Sequence, residues 1–479
     1  MNWVMASKLV CWAPVAVSPG SRVVKQYTIL NAAGGLGGST FGPVVNTNLP
    51  SGFKSSLSYD ANNAYLNLAL NFTAPPGSTL NVNQQGVGNA LVSFFNRTGG
   101  IPLAFGGSTP AGLTQISGES AAGSQQATFD AMTQFMGVMT DPFTAARGFD
   151  PGAGATPFAD EGLRPSFDAS PDRSRSPSER DAHAAIYRKT PIRDAYDPRW
   201  SVWAAGFGGS QTTEGNAAVG SNTATSRVFG LAMGADYLLS PRTIAGFALA
   251  GGGTNFSVAN AGSGRSDLFQ AGAFIKHKVG AAYIIAVAAY GWQDVTTNRT
   301  VTIAGIDRLH AHFNANAFSG RIEAGNRYVL PWMGGLGLTP YAAAQVTAFD
   351  LPAYAESVVS GANAFALGYG AKTVTVTRSE LGWRSDKSFA VNDAMLTLRG
   401  RAAWAHDFNP DRSLAATFQT LPGASFVVNG AAQARDSALV TAAAELKWLN
   451  GFSLAATFDG AFSSVTRSYA GKGVARYNW

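Results

Sequence analysis

From Arg199 onward the chain alternates between apolar and polar side chains with a period of two, which is the periodicity of β-strands. Twelve candidate strands follow one another, separated alternately by tight turns and by long loops rich in Gly, Asn and Ser. In one of these strands Phe318 and Ile322 lie on one face, and Arg321 and Glu323 lie on the other. Short turns on one side and long loops on the other are typical of an up-and-down barrel in an outer membrane.

Ionised side chains of both signs lie opposite the apolar face. The presence of both positive and negative charges favours a hydrated barrel lumen. A large soluble β-domain remains the alternative, because its strands would also alternate between apolar and polar residues. Aromatic residues concentrate at strand ends, where an interfacial girdle would lie; they are Trp200, Tyr237, Tyr328, Trp383, Trp448 and Tyr477. The residues that we expect to line the lumen are Arg321, Glu323, Arg327, Arg399, Arg401, Glu445 and Lys447.

No stretch of the sequence is long and apolar enough for a membrane-spanning helix. The longest uncharged apolar run, residues 279–292, is shorter than the roughly 20 residues that a helix needs to cross hydrocarbon. A closed barrel also satisfies every backbone group inside lipid, so a membrane location stays open. The single cysteine excludes a disulfide scaffold and Cys-clustered metal sites, and a net charge of +6 is too diffuse to indicate nucleic acid.

The C-terminus alternates up to its last residue. Gly473, Ala475, Tyr477 and Trp479 share one face, and the chain stops on that tryptophan. Because most chains end in a frayed tail, a terminus inside a strand predicts that these four residues close the barrel and are recognised during insertion.

Helical spacing replaces the alternation in residues 83–140. Val87, Leu91, Phe94 and Phe95 fall on one helical face. A second stripe, which we interpret as core packing, consists of Phe129, Met132, Met136 and Met139.

A linker rich in Pro, Asp, Arg and Ser is predicted over residues 146–175. Ser176 then supplies an N-cap, and Glu179 completes the pattern of a helix start, so a helix is predicted over 177–189 that includes Tyr187. Its faces are small or polar, without the apolar stripe that docking on a core would need. We therefore expect this helix to occupy a polar environment.

Residues 176–479 resemble the translocator domain of monomeric autotransporters, the type V secretion proteins of Gram-negative bacteria. The resemblance is carried by residues 199–210, 290–292, 320–325, 339–341 and 476–479. It implies an all-β dominated fold, a 12-stranded antiparallel transmembrane barrel (199–479) with a lumenal α-helix. We assign this helix to 177–189 and expect it to contact the lumenal residues named above. It also implies partners: outer-membrane lipid, the β-barrel assembly machinery, periplasmic chaperones and the protein's own passenger.

Upstream, residues 59–68 look like the last rungs of a passenger β-helix, so 1–75 is expected to be a passenger end and 76–145 a helical junction. No convincing secretion signal precedes this short passenger, and we expect a truncated N-terminus. The implied function is export of the N-terminal passenger across the outer membrane to the cell surface. The alternatives are an esterase-like surface enzyme whose catalytic passenger is missing, and a simple pore or adhesin.

No catalytic, metal-binding or cofactor-binding site is predicted. Residues 118–123 are one residue too long for a nucleophile elbow, and a helix start is the preferred interpretation. His310 and His312 could place two imidazoles on one side of a strand, but they lie at a loop end without a third ligand.

Overall fold

The computed structural model describes residues 21–141 and 199–479, and the backbone of residues 9–12. The linker predicted over 146–175 and the helix predicted over 177–189, with Ser176, Glu179 and Tyr187, lie outside the described residues. Both therefore stay predictions.

Twelve antiparallel strands close into a barrel, which confirms the predicted architecture. Each strand pairs with the next, and the last strand pairs with the first, so that Gly473 lies opposite Gly206. The strands are β1 (Trp200–Thr213), β2 (Ala224–Ser240), β3 (Thr243–Val258), β4 (Gly262–Val279), β5 (Ala282–Val301), β6 (Asp307–Asn326), β7 (Leu336–Leu351), β8 (Lys372–Val391), β9 (Ala394–Asp407), β10 (Asp436–Trp448), β11 (Phe452–Phe462) and β12 (Thr466–Asn478).

The two rims of the barrel differ in the length of their connections. One rim, called the turn side, carries short turns and one longer connection, which contains a short strand, Tyr328–Leu330, that pairs with β7. The other rim, called the loop side, carries the longest loops, residues 352–371 and 408–435. Both the first strand and the last strand have their outer chain ends, Trp200 and Asn478, on the turn side.

Strand alternation sorts the side chains as the sequence predicts. Phe229, Ile322 and Phe458 are 57%, 58% and 48% exposed on the outside of the barrel, whereas Arg321 on the inside is 7% exposed. A soluble sandwich would pack such phenylalanines in its core, and an apolar outer band with charges inside is the arrangement of a membrane barrel. None of the described helices is long and apolar enough to cross a membrane.

In the described part of the chain, three α-helices precede the barrel. α1 (Val82–Thr98) begins with a capping box between Asn81 and Gln84 and ends at Gly99, whose φ of +72° suits glycine. α2 (Pro110–Ile116) has its proline at the first turn, and α3 (Ala122–Thr140) follows a short 3₁₀ turn. Both helical stripes predicted in residues 83–140 are thus confirmed.

Among the residues that the structure describes, the helix that lies in the barrel lumen is α3. α3 contacts β1–β7 from inside, and all four residues of its predicted stripe are buried against the barrel wall. The stripe does pack in a core, as predicted, but this core is the barrel interior. Part of the predicted helical junction, residues 122–140, therefore lies inside the barrel.

Residues 21–121, called the N-terminal segment, lie on the loop side. Gln26–Asn31, Phe53–Tyr59 and Asn63–Leu70 form a three-stranded antiparallel sheet. The expected β-helix rungs over 59–68 are therefore corrected to an antiparallel hairpin, whose turn is closed by Asp60 accepting hydrogen bonds from the N–H groups of Asn62 and Asn63. Parallel pairing, which a β-helix requires, occurs between Leu9–Trp12 and Val44–Thr47.

Candidate functional site

Half of the inner barrel wall is apolar and packs directly on α3. This half is formed mainly by β1–β6, whose inward side chains are buried in one cluster with the helix. Close packing of this kind fixes the rotation of the helix about its axis. The wall residues are Trp203, Phe207, Val228, Ile244, Ala248, Phe256, Leu268, Phe274, Ile285, Val287, Val295 and Phe313.

Methionines of α3 fit against glycines of the wall. A Cβ added at Gly291 would lie 2.8 Å from the sulfur of Met132, and one at Gly272 would lie 2.6 Å from the terminal carbon of Met139. A Cβ at either position would require the flexible methionine side chain to shift. The helix therefore has a shaped seat on this side of the lumen.

Polar side chains on β2 and β5 meet polar side chains of α3 within the apolar half. Thr128 Oγ1 donates to Gln293 Oε1 at 3.1 Å, and Ser226 Oγ donates to Asp130 Oδ2. These contacts lie nearer the loop side. They set the height of α3 in the barrel, because a shift along the axis would leave buried polar groups unpaired.

The opposite face of α3 borders a chamber of about 280 Å³. The residues of α3 that line the chamber are Phe129, Asp130, Thr133, Gln134, Gly137, Thr140 and Asp141. It extends from Arg327 and Asp386 near the turn side to Ser463 and Thr466 near the loop side. α3 therefore fills only part of the bore.

A continuous series of ion pairs crosses the chamber wall from β6 to the end of α3. Arg384 pairs with Glu323 at 2.5 Å, Glu323 with Arg321 at 2.9 Å, and Arg321 with Glu380 at 2.8 Å. Two of the four, Arg321 and Arg384, also form two-pronged hydrogen bonds to a carboxylate, the strong geometry for this pair.

The series continues to the helix through Arg401, Asp459 and Lys472. Arg401 lies 4.0 Å from Glu380 and 3.2 Å from Asp459. Lys472 Nζ lies 3.3 Å from Asp459 and 2.9 Å from Asp141, and it donates to the backbone oxygen of Gly137 at 3.3 Å. A cation at the C-terminus of α3 also complements the helix dipole.

The remaining predicted lumenal residues lie inside the barrel as well. Arg327 pairs with Asp386 at 2.6 Å, and Arg399 lies 3.9 Å from Glu445. Lys447 is half-buried on the same side of β10 as Glu445. Their contact with a helix over 177–189 stays a prediction, because that helix lies outside the described residues.

Sequence reasoning missed Arg384 and Asp141. Arg384 lies two residues before Asp386, so the period of two could have placed it on the inner face. Asp141 carried no such pattern, since it lies just beyond the last turn of α3. Only the position of the helix inside the barrel reveals it.

The C-terminal residues form the seam of the barrel. β12 pairs with β11 on one side and with β1 on the other. Tyr477 and Trp479 are exposed on the outer face, with ring centroids 5.8 Å apart, and Gly473 and Ala475 precede them on that face. Closure by this strand is seen directly; recognition of these residues during insertion stays a prediction.

The other candidate residues have structural surroundings. Ser120 is buried in the 3₁₀ turn before α3, in agreement with the helix start that was preferred there. His312 pairs with Asp294, and His310 Nδ1 lies 3.2 Å from Asn298 Oδ1, all on β5 and β6. Among the described residues, no group of three or more His, Cys, Asp or Glu side chains could hold a metal ion.

The model of the autotransporter β-domain family matches residues 202–459, which is more than half of the chain and nearly all of the barrel. The chain belongs to this family. The autotransporter barrel therefore lies in the outer membrane of a Gram-negative cell, with its long loops outside and its short turns in the periplasm.

Individual proteins resemble the chain at lower levels. An extracellular serine protease of Serratia marcescens is 26% identical over 201 residues, which are 42% of this chain and 18% of that protein. The chain thus matches less than a fifth of the length of this relative.

Solved translocator structures resemble the chain in part. The translocator domain of NalP from Neisseria meningitidis is 16% identical with a TM-score of 0.48, covering 63% of this chain and 98% of that one. The β-domain of the Bordetella autotransporter BrkA is 18% identical with a TM-score of 0.45, covering 59% and 100%.

Proposed function

We propose that this autotransporter barrel exports the N-terminal part of its own chain through its lumen and then keeps α3 inside as a lumenal helix. The path of the chain supports the proposal. The N-terminal segment lies on the loop side, α3 runs inside the barrel from the loop side inward, and β1 starts at Trp200 on the turn side. In this arrangement the N-terminal segment lies outside the barrel, on its loop side.

Retention of α3 follows from how one face and the C-terminal end of the helix are held. One face is packed on the apolar half of the wall, and the C-terminal end is anchored by Lys472 through Asp141 and Gly137. Leaving this position would expose the methionine stripe to water and break the buried ion pair between Lys472 and Asp141, both of which cost free energy.

Insertion of the barrel is proposed to use the β-barrel assembly machinery and periplasmic chaperones, as the family resemblance implies. The barrel itself is proposed to have no catalytic role. An esterase-like passenger enzyme or an adhesin remains an alternative for the exported part.

Surface accessibility of an inserted epitope tests the export. Gly37 and Gly38 lie in an open turn of the N-terminal segment with positive φ and no atom near their missing Cβ, so an epitope there should be tolerated. On intact cells we expect antibody binding to this epitope but not to one placed at Asn392 and Asp393 in the turn between β8 and β9. Detection at Gly37 only after permeabilisation, with the barrel folded, would overturn the proposal.

A further inference from the structure

The two longest loops of the barrel fold into a small sheet of their own. Its strands are Tyr354–Ala355, Leu367–Tyr369, Ser413–Phe418 and Ser425–Asn429, paired antiparallel in the order in which they occur in the chain. This sheet is called the loop platform. It lies above the barrel on the loop side, because the strands that flank both loops end there.

The loop platform and the N-terminal segment share one apolar core. Phe105 of the segment meets Phe365 and Phe418 of the platform edge to face, with ring centroids 5.0 and 5.1 Å apart. α1 contributes Val87, Leu91 and Phe95 to this core, and α2 contributes Leu113 and Ile116. Without the segment the platform would present a contiguous apolar surface to water, which soluble surfaces rarely do.

Polar contacts fix the register of α1 on the loops. The first helical N–H groups, of Val82 and Asn83, donate to the carbonyls of Ala218 and Val219 in the loop between β1 and β2. The buried Asn83 side chain accepts from the N–H of Asn429 at 2.9 Å and donates to its carbonyl at 2.8 Å. Loop carbonyls and an amide thus satisfy helix groups that would otherwise be unpaired.

A buried arginine on β5 contacts both α2 and the loop over residues 352–371. Arg299, at the loop-side end of β5, pairs with Glu356 and donates to the carbonyls of Gln115 at 2.9 Å and Phe365 at 2.9 Å. Tyr369 Oη donates to Gly118 at 3.4 Å. Removing the segment would take away part of the hydrogen bonding of this guanidinium, so the pair favours one seated arrangement.

Glycines allow the close approach. Gly220 has φ of +88°, and a Cβ there would lie 2.1 Å from the Asn81 side chain that caps α1. Gly118 has φ of +75°, and its Cβ would lie 2.4 Å from Leu367. By contrast Gly305, in the loop between β5 and β6, has φ of +109° and nothing within 4 Å of its Cβ position.

From these contacts we infer that the loop platform is a docking site for the N-terminal segment, and that this segment is a permanent exterior lid rather than a released passenger. The inference rests on the proposed export. The platform supplies half of the core on which the exported helices fold, and the glycines and buried polar groups select one seated register.

Limited proteolysis on intact cells tests the inference with matched variants. Gly220→Val should disturb the seat of α1, whereas Gly305→Val adds the same side chain at another positive φ in open space. We expect trypsin to cut the segment at Lys54 or Arg97 at least ten times faster in Gly220→Val than in the parent chain. Gly305→Val should match the parent within twofold.

Two further readouts separate the possible failures. The Gly37 epitope reports export, and the heat-dependent mobility of the barrel in gels reports its folding. The inference would be overturned if trypsin cleaved Gly220→Val and Gly305→Val at the same rate, whether slowly or fast, while the epitope was exposed and the barrel was folded. The proposed export would still stand in that case. If Gly220→Val does not yield a folded barrel, Phe105→Ala in the segment carries the same test with the same two outcomes.

Discussion

The inner wall formed by β1–β7 holds α3 through apolar side chains, whereas most of the wall formed by β8–β12 faces the helix across a chamber lined with paired charges. The apolar half determines the rotation of α3 about its axis, because methionines of the helix pack against Gly272 and Gly291. The charged half contacts the helix chiefly at its C-terminus, through Lys472. One side of the barrel lumen therefore binds α3, and the other side forms a hydrated passage.

A carboxylate placed on each face of α3 should produce the largest contrast between the halves. Met136→Asp would bury an unpaired charge in the apolar half and should lower the free energy of unfolding by on the order of 4 kcal/mol or more. Thr133→Asp faces the chamber and should change it by less than about 1 kcal/mol. Unfolding in detergent, followed by gel mobility, measures both. Similar losses in the two variants would mean that the halves do not differ as described.

Removing the cation at the helix C-terminus tests the charged half. Lys472→Met leaves Asp141 and Asp459 without a shared partner and should cost about 3–5 kcal/mol, because a buried pair is broken from one side. Arg467→Met, on the same strand but 70% exposed, should cost roughly 0–1 kcal/mol. Denaturant titration of the two variants compares them. A loss in Lys472→Met no greater than in Arg467→Met would remove this residue from the anchoring of α3.

The smallest expected effect concerns the mouth, where α3 begins. Burial raises the pKa of Glu119 from 4.5 to about 7, although this carboxylate accepts hydrogen bonds from the backbone and side chain of Asn222, which act in the opposite direction. Since the folded pKa lies above the unfolded one, the stabilisation is complete below pH 4.5 and is lost as the pH rises through 7. Hydrogen exchange of α2 and the following turn should therefore be faster at pH 8 than at pH 5.5.

The matched variant for this pH effect is Glu119→Gln, which has nearly the same shape and cannot ionise. Once intrinsic exchange chemistry is corrected for, the ratio of exchange rates at the two pH values should be close to one in this variant. If the parent and Glu119→Gln show the same ratio, another group causes the pH dependence.

The sequence predicted the barrel because alternation is a local property of each strand. Twelve strands, their inward charges and the closing role of Gly473–Trp479 all follow from a period of two and from the resemblance to autotransporters. The position of α3 did not follow, because the stripe of Met132, Met136 and Met139 indicates a buried helix without saying what buries it. Apolar residues on both faces of β5, such as Ile284 and Ile285, were the sign that part of the lumen is apolar.

The N-terminal segment and its seat were not predictable for a similar reason. Asn83 and Asn429, or Arg299 and Glu356, are far apart in the sequence and carry no motif. Their pairing depends on the loops that the closed barrel brings together. Hairpin geometry at Asp60 was also missed, because short β-prone runs do not reveal whether their pairing is parallel or antiparallel.

Crosslinking of α3 to the inner wall tests most directly the claim that this helix occupies the lumen. In a Cys11→Ser background, cysteines at Asp130 and Ser226, whose side chains are hydrogen-bonded, should be joined by a short bis-maleimide in the folded protein. Thr225, the neighbour on the outer face of β2, provides the control partner for Asp130 and should give no product. A crosslink at 226 but not at 225 is the predicted result. Equal yields at both positions, or none at 226 in a folded barrel, would contradict a helix inside the bore.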